Sequence, residues 1–113
     1  MLTVYGIKNC DTVKKALKWL EAQGIAHTFH DFRVDGLDEA RVTRWVDALG
    51  WESVLNRRST TWRELADADK DSLDAARATK LLVANPTLIK RPVFEGKGFV
   101  LNGFTENTRA QLG

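Results

Sequence analysis

The chain has 113 residues, of which 43% are hydrophobic and 28% charged, and its formal net charge is +2. This length allows one domain whose core needs no metal or disulfide, and so small a charge gives no reason to expect a nucleic-acid partner. No apolar run approaches the roughly 20 residues of a membrane span, and Leu2 and Thr3 enter a strand directly, so we expect neither membrane insertion nor a signal peptide. A single cysteine cannot form an internal disulfide, which favours a reducing cytoplasm.

The first thirty residues predict a strand, a helix and a second strand. Leu2–Tyr5 is rich in β-branched and aromatic residues, as strands are, and Gly6–Asn9 turns the chain. The helix that follows runs to about Gln23 and is stopped by Gly24. Its apolar positions repeat with helical spacing at Val13, Ala16, Leu17 and Leu20. Residues 26–32 alternate as a strand, and a strand–helix–strand unit of this length implies a parallel pair.

The middle of the chain, about residues 37–86, is predicted to be a helical insertion. Asp38 begins one helix, which Gly50 ends. Thr61–Glu64 has the capping-box form, with Thr followed by Glu at the third position. Asp71–Ser72 starts the last helix of the insertion.

The end of the chain returns to strands. Arg91–Glu95 and Gly98–Leu101 are separated by a short glycine-containing connection, which indicates an antiparallel hairpin. Thr105 then begins a last helix that ends near Leu112. The resulting order, β-α-β, helical insertion, β-β-α, predicts a single α/β domain with a mixed four-stranded sheet and resembles the thioredoxin-like fold.

The only cysteine, Cys10, stands where the first helix begins. A lone cysteine is often just a small buried hydrophobe. A helix N-terminus, however, favours an anion such as a thiolate, and the lysines at 8, 14 and 15 add positive charge. Ser, Thr, Asn and Asp are better helix caps, so a cysteine at this place indicates a reactive thiol. The two histidines and Cys10 match no metal-ligand spacing, and we expect no metal.

The residues that follow Cys10 separate three cysteine chemistries. A dithiol oxidoreductase needs a second cysteine where Val13 stands. A cysteine phosphatase loop needs an arginine where Ala16 or Leu17 stands. Any covalent adduct on Cys10 must therefore be resolved by an outside thiol. Glutathione is the abundant candidate.

Four stretches make the sequence resemble the family of arsenate reductase (ArsC), Spx and YffB over essentially its whole length, most closely the YffB branch. They are Tyr5–Thr12, Asn56–Trp62, Leu88–Pro92 and Leu101–Glu106. The resemblance implies a thioredoxin-like fold in which the residue that opens the third strand is a cis-proline. Pro92 stands at that place.

The resemblance also implies which residues form the site. Cys10 is the nucleophile, and Arg91, before the cis-proline, binds an anionic group. In an Spx-like alignment, the second arginine of the family's site corresponds to Arg58. In an ArsC-like alignment, the same position corresponds to Asn56, which stands beside Arg57. The third arginine of arsenate reductases falls on Gly103, and this departure predicts poor reduction of arsenate. The residues next to Cys10 are Asn9, Asp11 and Thr12. They either form hydrogen bonds with the sulfur or with a bound ligand, or they only cap the helix.

From this resemblance we expect a glutathione-dependent thiol/disulfide reductase, or an ArsC-like arsenate reductase. Glutathione is then a cosubstrate, no cofactor is bound, and the partner is glutathione, a glutathionylated thiol or an oxyanion. We expect a monomer that binds neither nucleic acid nor membrane. The alternative is an Spx-like regulator that binds RNA polymerase without catalysis. Val13 breaks the Cys-x-x-Cys of the redox-sensing members.

Overall fold

The structure, a computed structural model, describes residues 2–65, 70 and 73–113. The chain divides into two compact units. One, here called the sheet unit, comprises Met1–Gly36 and Arg91–Gly113, and the other, the helical unit, is Leu37–Lys90. The helical unit contains the segment that the sequence predicts as an insertion. Among the described residues no helix is both long and apolar enough to cross a membrane.

The described elements follow one another in a β-α-β, helical, β-β-α order. They are β1 (Leu2–Gly6), α1 (Asp11–Ala22), β2 (His27–Asp31), α2 (Phe32–Asp35), α3 (Glu39–Leu49), α4 (Trp51–Val54), α5 (Thr60–Glu64), α6 (Ala75–Ala84), a 3₁₀ turn (Pro86–Leu88), β3 (Val93–Gly96), β4 (Phe99–Asn102) and α7 (Glu106–Leu112). The four strands form one sheet in the order β2-β1-β3-β4. β1 pairs with β2 in parallel, whereas the β1–β3 and β3–β4 pairs are antiparallel. The predicted mixed sheet, parallel pair and hairpin are confirmed.

The core of the sheet unit forms where α1 packs on the sheet. Its buried residues include Leu2, Val4, Ala16, Leu20 and Phe94. Helix α1 ends as predicted at Gly24, whose φ of 69° is accessible to glycine at little cost. The N–H groups of Gly24 and Ile25 donate to the carbonyls of Glu21 (3.1 Å) and Leu20 (3.0 Å), the two bonds of a Schellman motif.

The predicted boundary of β2 is wrong by one residue. The alternation that favours a strand continues through Phe32, but the strand ends at Asp31. The reason is that Asp31 caps α2: its Oδ1 accepts a hydrogen bond from the N–H of Arg33 at 2.8 Å. A side chain that binds the backbone two residues ahead ends the strand and begins a helix.

In the helical unit, α3 packs on α6. Asp38 caps α3 as predicted, and Asp74 caps α6; the predicted start at Asp71–Ser72 lies outside the described residues. The predicted capping role of Thr61 is wrong. Ser59 caps α5 instead, since its Oγ accepts from the N–H of Trp62, while the Thr61 hydroxyl lies 2.7 Å from the hydroxyl of Thr87.

Candidate functional site

The register of the sheet brings several predicted site residues to one edge. In the antiparallel pair of β1 and β3, Tyr5 stands opposite Val93. Cys10 follows the end of β1, and Arg91–Pro92 precede the start of β3. These segments therefore lie at the same edge of the sheet. The parallel pair of β1 and β2 ends there too, with Gly6 opposite Asp31.

Cys10 is the N-cap residue of α1, as the sequence predicts. Its N–H donates to the carbonyl of Ile7 at 3.1 Å, which closes a turn through Lys8 and Asn9, and its carbonyl accepts from Lys14 N–H at 3.0 Å. No side-chain hydrogen bond caps this helix. The thiol is free and Cys10 is partly exposed. The sulfur thus stands at the positive end of a twelve-residue helix, where negative charge is stabilised.

Gly6 allows strand β1 and helix α1 to approach closely. A Cβ built on Gly6 would lie 2.7 Å from Cγ2 of Val13, closer than carbon atoms pack. Val13 is fully buried, with 0% of its surface exposed. Gly6 is therefore required by packing, in addition to the turn that the sequence predicts. Val13, at the position of the second cysteine of a dithiol enzyme, is a packing residue.

The carboxylate of Asp31 reaches the turn that leads to Cys10. Only 7% of Asp31 is exposed. Its Oδ2 accepts a hydrogen bond from the N–H of Lys8 at 3.1 Å, while Oδ1 caps α2. The sequence prediction missed this residue, because it placed Asp31 inside a strand. The available signal was the aspartate itself at the end of an alternating stretch, since an aspartate side chain readily accepts from the backbone N–H two residues ahead.

The Arg91–Pro92 peptide bond is cis, as predicted. The carbonyl of Pro92 accepts a hydrogen bond from Gly103 N–H at 2.8 Å. Nε and Nη1 of Arg91 are buried and have no hydrogen-bond partner among the described residues. Buried polar groups nearly always have partners, so these two nitrogens mark a place suited to an anion.

Gly103 has a φ of 76°. A side chain at such a φ costs roughly 1–2 kcal/mol. Backbone conformation therefore favours glycine here, where the resemblance places the third arginine of arsenate reductases.

The neighbours of Cys10 are all exposed: Asn9, Asp11 and Thr12. Asp11 stands in the first turn of α1, where a carboxylate is favourable. Within the described part of the chain, no three His, Cys, Asp or Glu residues group as a metal site.

The two loop arginines belong to the helical unit. Arg57 and Arg58 are exposed, and the guanidinium of Arg57 lies 5.6 Å from the ring centroid of Trp51. Asn56 Oδ1 accepts from the N–H of Arg58 at 3.1 Å. Both arginines line a hollow of about 330 Å³, which Lys90 also lines. Three cations and one carboxylate, that of Glu52, thus line one concave surface of the helical unit, with an excess of positive charge.

Comparison with known proteins decides the family. The model of the ArsC family matches residues 5–112. The chain belongs to the ArsC family. An uncharacterized protein from Haemophilus influenzae is 56% identical over 106 residues, which span 94% of this chain and 93% of that protein. A solved structure named YFFB (PA3664) protein is 45% identical, superposes with a TM-score of 0.95, and covers 99% of this chain and 98% of its own.

Two further ArsC-family relatives carry functional names. An arsenate reductase (ArsC) related protein from Brucella melitensis is 44% identical with a TM-score of 0.79, covering 97% of this chain and 92% of its own. The global transcriptional regulator Spx of Streptococcus agalactiae is 27% identical over 109 residues, 95% of this chain and 79% of the regulator. The ArsC-family chain is thus similar both to arsenate-reductase-related proteins and to Spx regulators.

Proposed function

We propose that this ArsC-family chain is a glutathione-dependent thiol reductase with Cys10 as its only nucleophile. The observation that carries the proposal is the position of Cys10, a free and partly exposed thiol at the N-cap of α1. This position suits a thiolate, the form that attacks disulfides. The name of the Brucella relative, an arsenate reductase related protein, agrees with an oxidoreductase.

The proposed reaction has two exchange steps. The Cys10 thiolate attacks the glutathione sulfur of a glutathionylated thiol, so that a Cys10–glutathione disulfide forms and the substrate leaves as a thiolate. A free glutathione thiolate then attacks the glutathione sulfur of that disulfide, and glutathione disulfide leaves while Cys10 returns as a thiolate. Two glutathione sulfurs end oxidised and one substrate disulfide ends reduced. Because Val13 replaces a resolving cysteine and is fully buried, the second thiol must come from solution.

Arg91 is proposed to bind a carboxylate of glutathione. Two of its nitrogens are buried without a hydrogen-bond partner among the described residues. A planar guanidinium binds a carboxylate through two parallel hydrogen bonds, which an ammonium cannot do. Nε and Nη1 lie on different edges of the guanidinium plane, so a carboxylate bound to one edge would supply a partner to one of these two nitrogens.

Arg58, with Arg57 as the alternative, is proposed as the second anion-binding residue. Arg58 ranks first because the guanidinium of Arg57 already lies over the Trp51 ring. Lys90 lines the same hollow. Within the helical unit, these cations favour the binding of an anionic group.

Turnover of a glutathionylated peptide, followed by the release of glutathione disulfide, tests the proposal. Cys10→Ser should abolish turnover. Arg91→Lys should lower kcat/KM by about tenfold or more, because the loss of one charge-assisted hydrogen bond corresponds to on the order of 1.5–3 kcal/mol. Arg63→Lys, the same change at an exposed position, serves as the matched control, together with Lys14→Ala and Lys18→Ala. Equal losses in all four variants would contradict a specific role of Arg91.

Spx supplies the second candidate function, a regulator that binds RNA polymerase without catalysis. The similarity to Spx over 95% of the chain favours it. Retention of RNA polymerase from lysate by both the unmodified chain and Cys10→Ser, with no peptide turnover, would support this alternative and overturn the reductase.

A further inference from the structure

We propose that Asp31 is a positioning residue that holds Cys10 in its reactive place. The proposal rests on the proposed role of Cys10 as nucleophile. Asp31 lies on another strand and acts through the turn that precedes the cysteine. Its role as the cap of α2 does not account for all of its bonds.

The two carboxylate oxygens of Asp31 have separate partners. Oδ1 accepts from Arg33 N–H at 2.8 Å, a local bond that caps α2. Oδ2 accepts from Lys8 N–H at 3.1 Å, across 23 residues of chain. A cap needs only the first bond. The second joins the end of β2 to the turn that follows β1.

The Lys8 N–H lies inside the turn that presents the cysteine. Cys10 N–H donates to the carbonyl of Ile7 at 3.1 Å, so Lys8 and Asn9 are the two central residues of a four-residue turn. Both are exposed, and of the four turn residues only Ile7, which begins the turn, is buried. The bond from Lys8 to a buried carboxylate therefore anchors the turn to the sheet.

The carboxylate is itself held in place. Gly6 and Asp31 are register partners in the parallel pair of β1 and β2, which fixes the distance across which Oδ2 must reach. The N–H of Asp31 donates to Oδ2 of Asp35 at 3.1 Å. With 7% of its surface exposed, Asp31 has little freedom to release Lys8. A turn anchored in this way keeps the sulfur at the start of α1, and small displacements of a reacting group cost large factors in rate.

Two substitutions separate positioning from capping. Asp31→Ser and Asp31→Asn keep a good N-cap for α2. The serine side chain is too short to reach Lys8 as well. The asparagine has one acceptor oxygen, which should keep the shorter, local bond to Arg33 N–H and leave the Lys8 N–H without its acceptor. Asp38→Ser is the matched control, because Asp38 Oδ1 caps α3 by accepting from Arg41 N–H at 2.7 Å.

Two measurements are made on the full chain and need no enzymatic activity. The first is amide hydrogen exchange of Lys8 by NMR, which should speed up by about tenfold in both Asp31 variants, while exchange of Leu20 in α1 stays unchanged. The second is the rate at which iodoacetamide alkylates Cys10, the only cysteine. If Asp31 keeps the sulfur at the N-terminus of α1, where negative charge is stabilised, both variants should react about fivefold more slowly.

The direction of the alkylation change is decisive. Removing a negative charge by itself would favour the thiolate and speed alkylation, so a slower reaction in both variants supports positioning. A rate that is unchanged or faster, or that falls equally in Asp38→Ser, overturns the proposal. In the peptide assay the positioning role predicts a lower kcat with little change in KM. If the unmodified chain proves to have no reductase activity, the proposed function fails, while the exchange and alkylation measurements still decide the role of Asp31.

Discussion

The contact between Gly6 and Val13 predicts that two destabilising substitutions partly cancel when combined. A methyl group on residue 6 would lie 2.7 Å from Cγ2 and 3.3 Å from Cγ1 of Val13. Gly6→Ala alone should therefore lower the free energy of unfolding by about 1–3 kcal/mol, the usual cost of overpacking a core. Val13→Ala alone should cost about 1.5–3 kcal/mol, because two buried methyl groups are lost and a cavity is left.

In the double variant the clash is gone. The nearest remaining atom of residue 13 to the new methyl group is Cβ, at 3.6 Å, an ordinary contact distance. In the Val13→Ala background, Gly6→Ala should then leave the free energy of unfolding unchanged or raise it by up to roughly 0.5–1 kcal/mol. The gain arises because alanine lowers the conformational entropy of the unfolded chain. The coupling between the two sites is thus about 1–4 kcal/mol and favourable.

This double-mutant cycle can be measured by urea unfolding, followed by the fluorescence of the four tryptophans. The slope of the unfolding free energy against urea concentration should be the same in all variants. Gly24→Ala in the same Val13→Ala background is the control pair, because in the described part of the chain no atom beyond its two neighbours lies within 4 Å of a Cβ at Gly24. That pair should be additive. Additivity within about 0.5 kcal/mol for the Gly6 pair as well would refute the close contact. The alkylation rate of Cys10 should fall in Gly6→Ala and recover in the double variant, since the same contact positions the start of α1.

Three further outcomes are expected. Gly24→Ala should lower the free energy of unfolding by about 1 kcal/mol and Gly24→Asn by less, because asparagine tolerates the left-handed φ of 69°; equal losses in urea would argue against a backbone cause. Thr105→Ala should cost about 1 kcal/mol, since it removes the capping box of α7, whereas Thr43→Ala on the exposed side of α3 should cost less. For the same enzyme, kcat/KM for arsenate should be at least about a hundredfold lower than for a glutathionylated thiol, because Gly103 replaces the third arginine of arsenate reductases. Efficient turnover of arsenate would show that the reaction does not need this third arginine.

The elements with strong local signals could be predicted from the sequence. Helix α1 has an apolar stripe and a glycine at its C-terminal end, and the two bonds of its Schellman motif confirm that end. Asp38 and Thr105 cap their helices as expected. These signals depend on residues within a few positions of one another, so a single sequence contains them.

The parts of the site that depend on register could not be predicted. Asp31 continues an alternating pattern, and its bond to Lys8 exists only because β1 and β2 pair with Gly6 opposite Asp31. Gly6 has the sequence context of a turn glycine, and its packing role appears only once α1 lies against β1. The resemblance indicated Arg91, but its buried nitrogens without a partner among the described residues are a property of the folded chain.

Because β1 lies between β2 and β3 in the sheet, the candidate site is completed late during synthesis of the chain. The partner of β1 on one side, β2, follows shortly after it, but its partner on the other side, β3, comes from the far end of the chain, with Tyr5 opposite Val93. Such distant pairing forms late, because closing a long loop costs entropy before any contact is gained. On the ribosome, Cys10 therefore emerges long before Arg91, and the nascent chain carries a thiol whose proposed cation has not yet been made. The complete pair of nucleophile and guanidinium exists only after residue 91 has been translated and β1 has paired with β3.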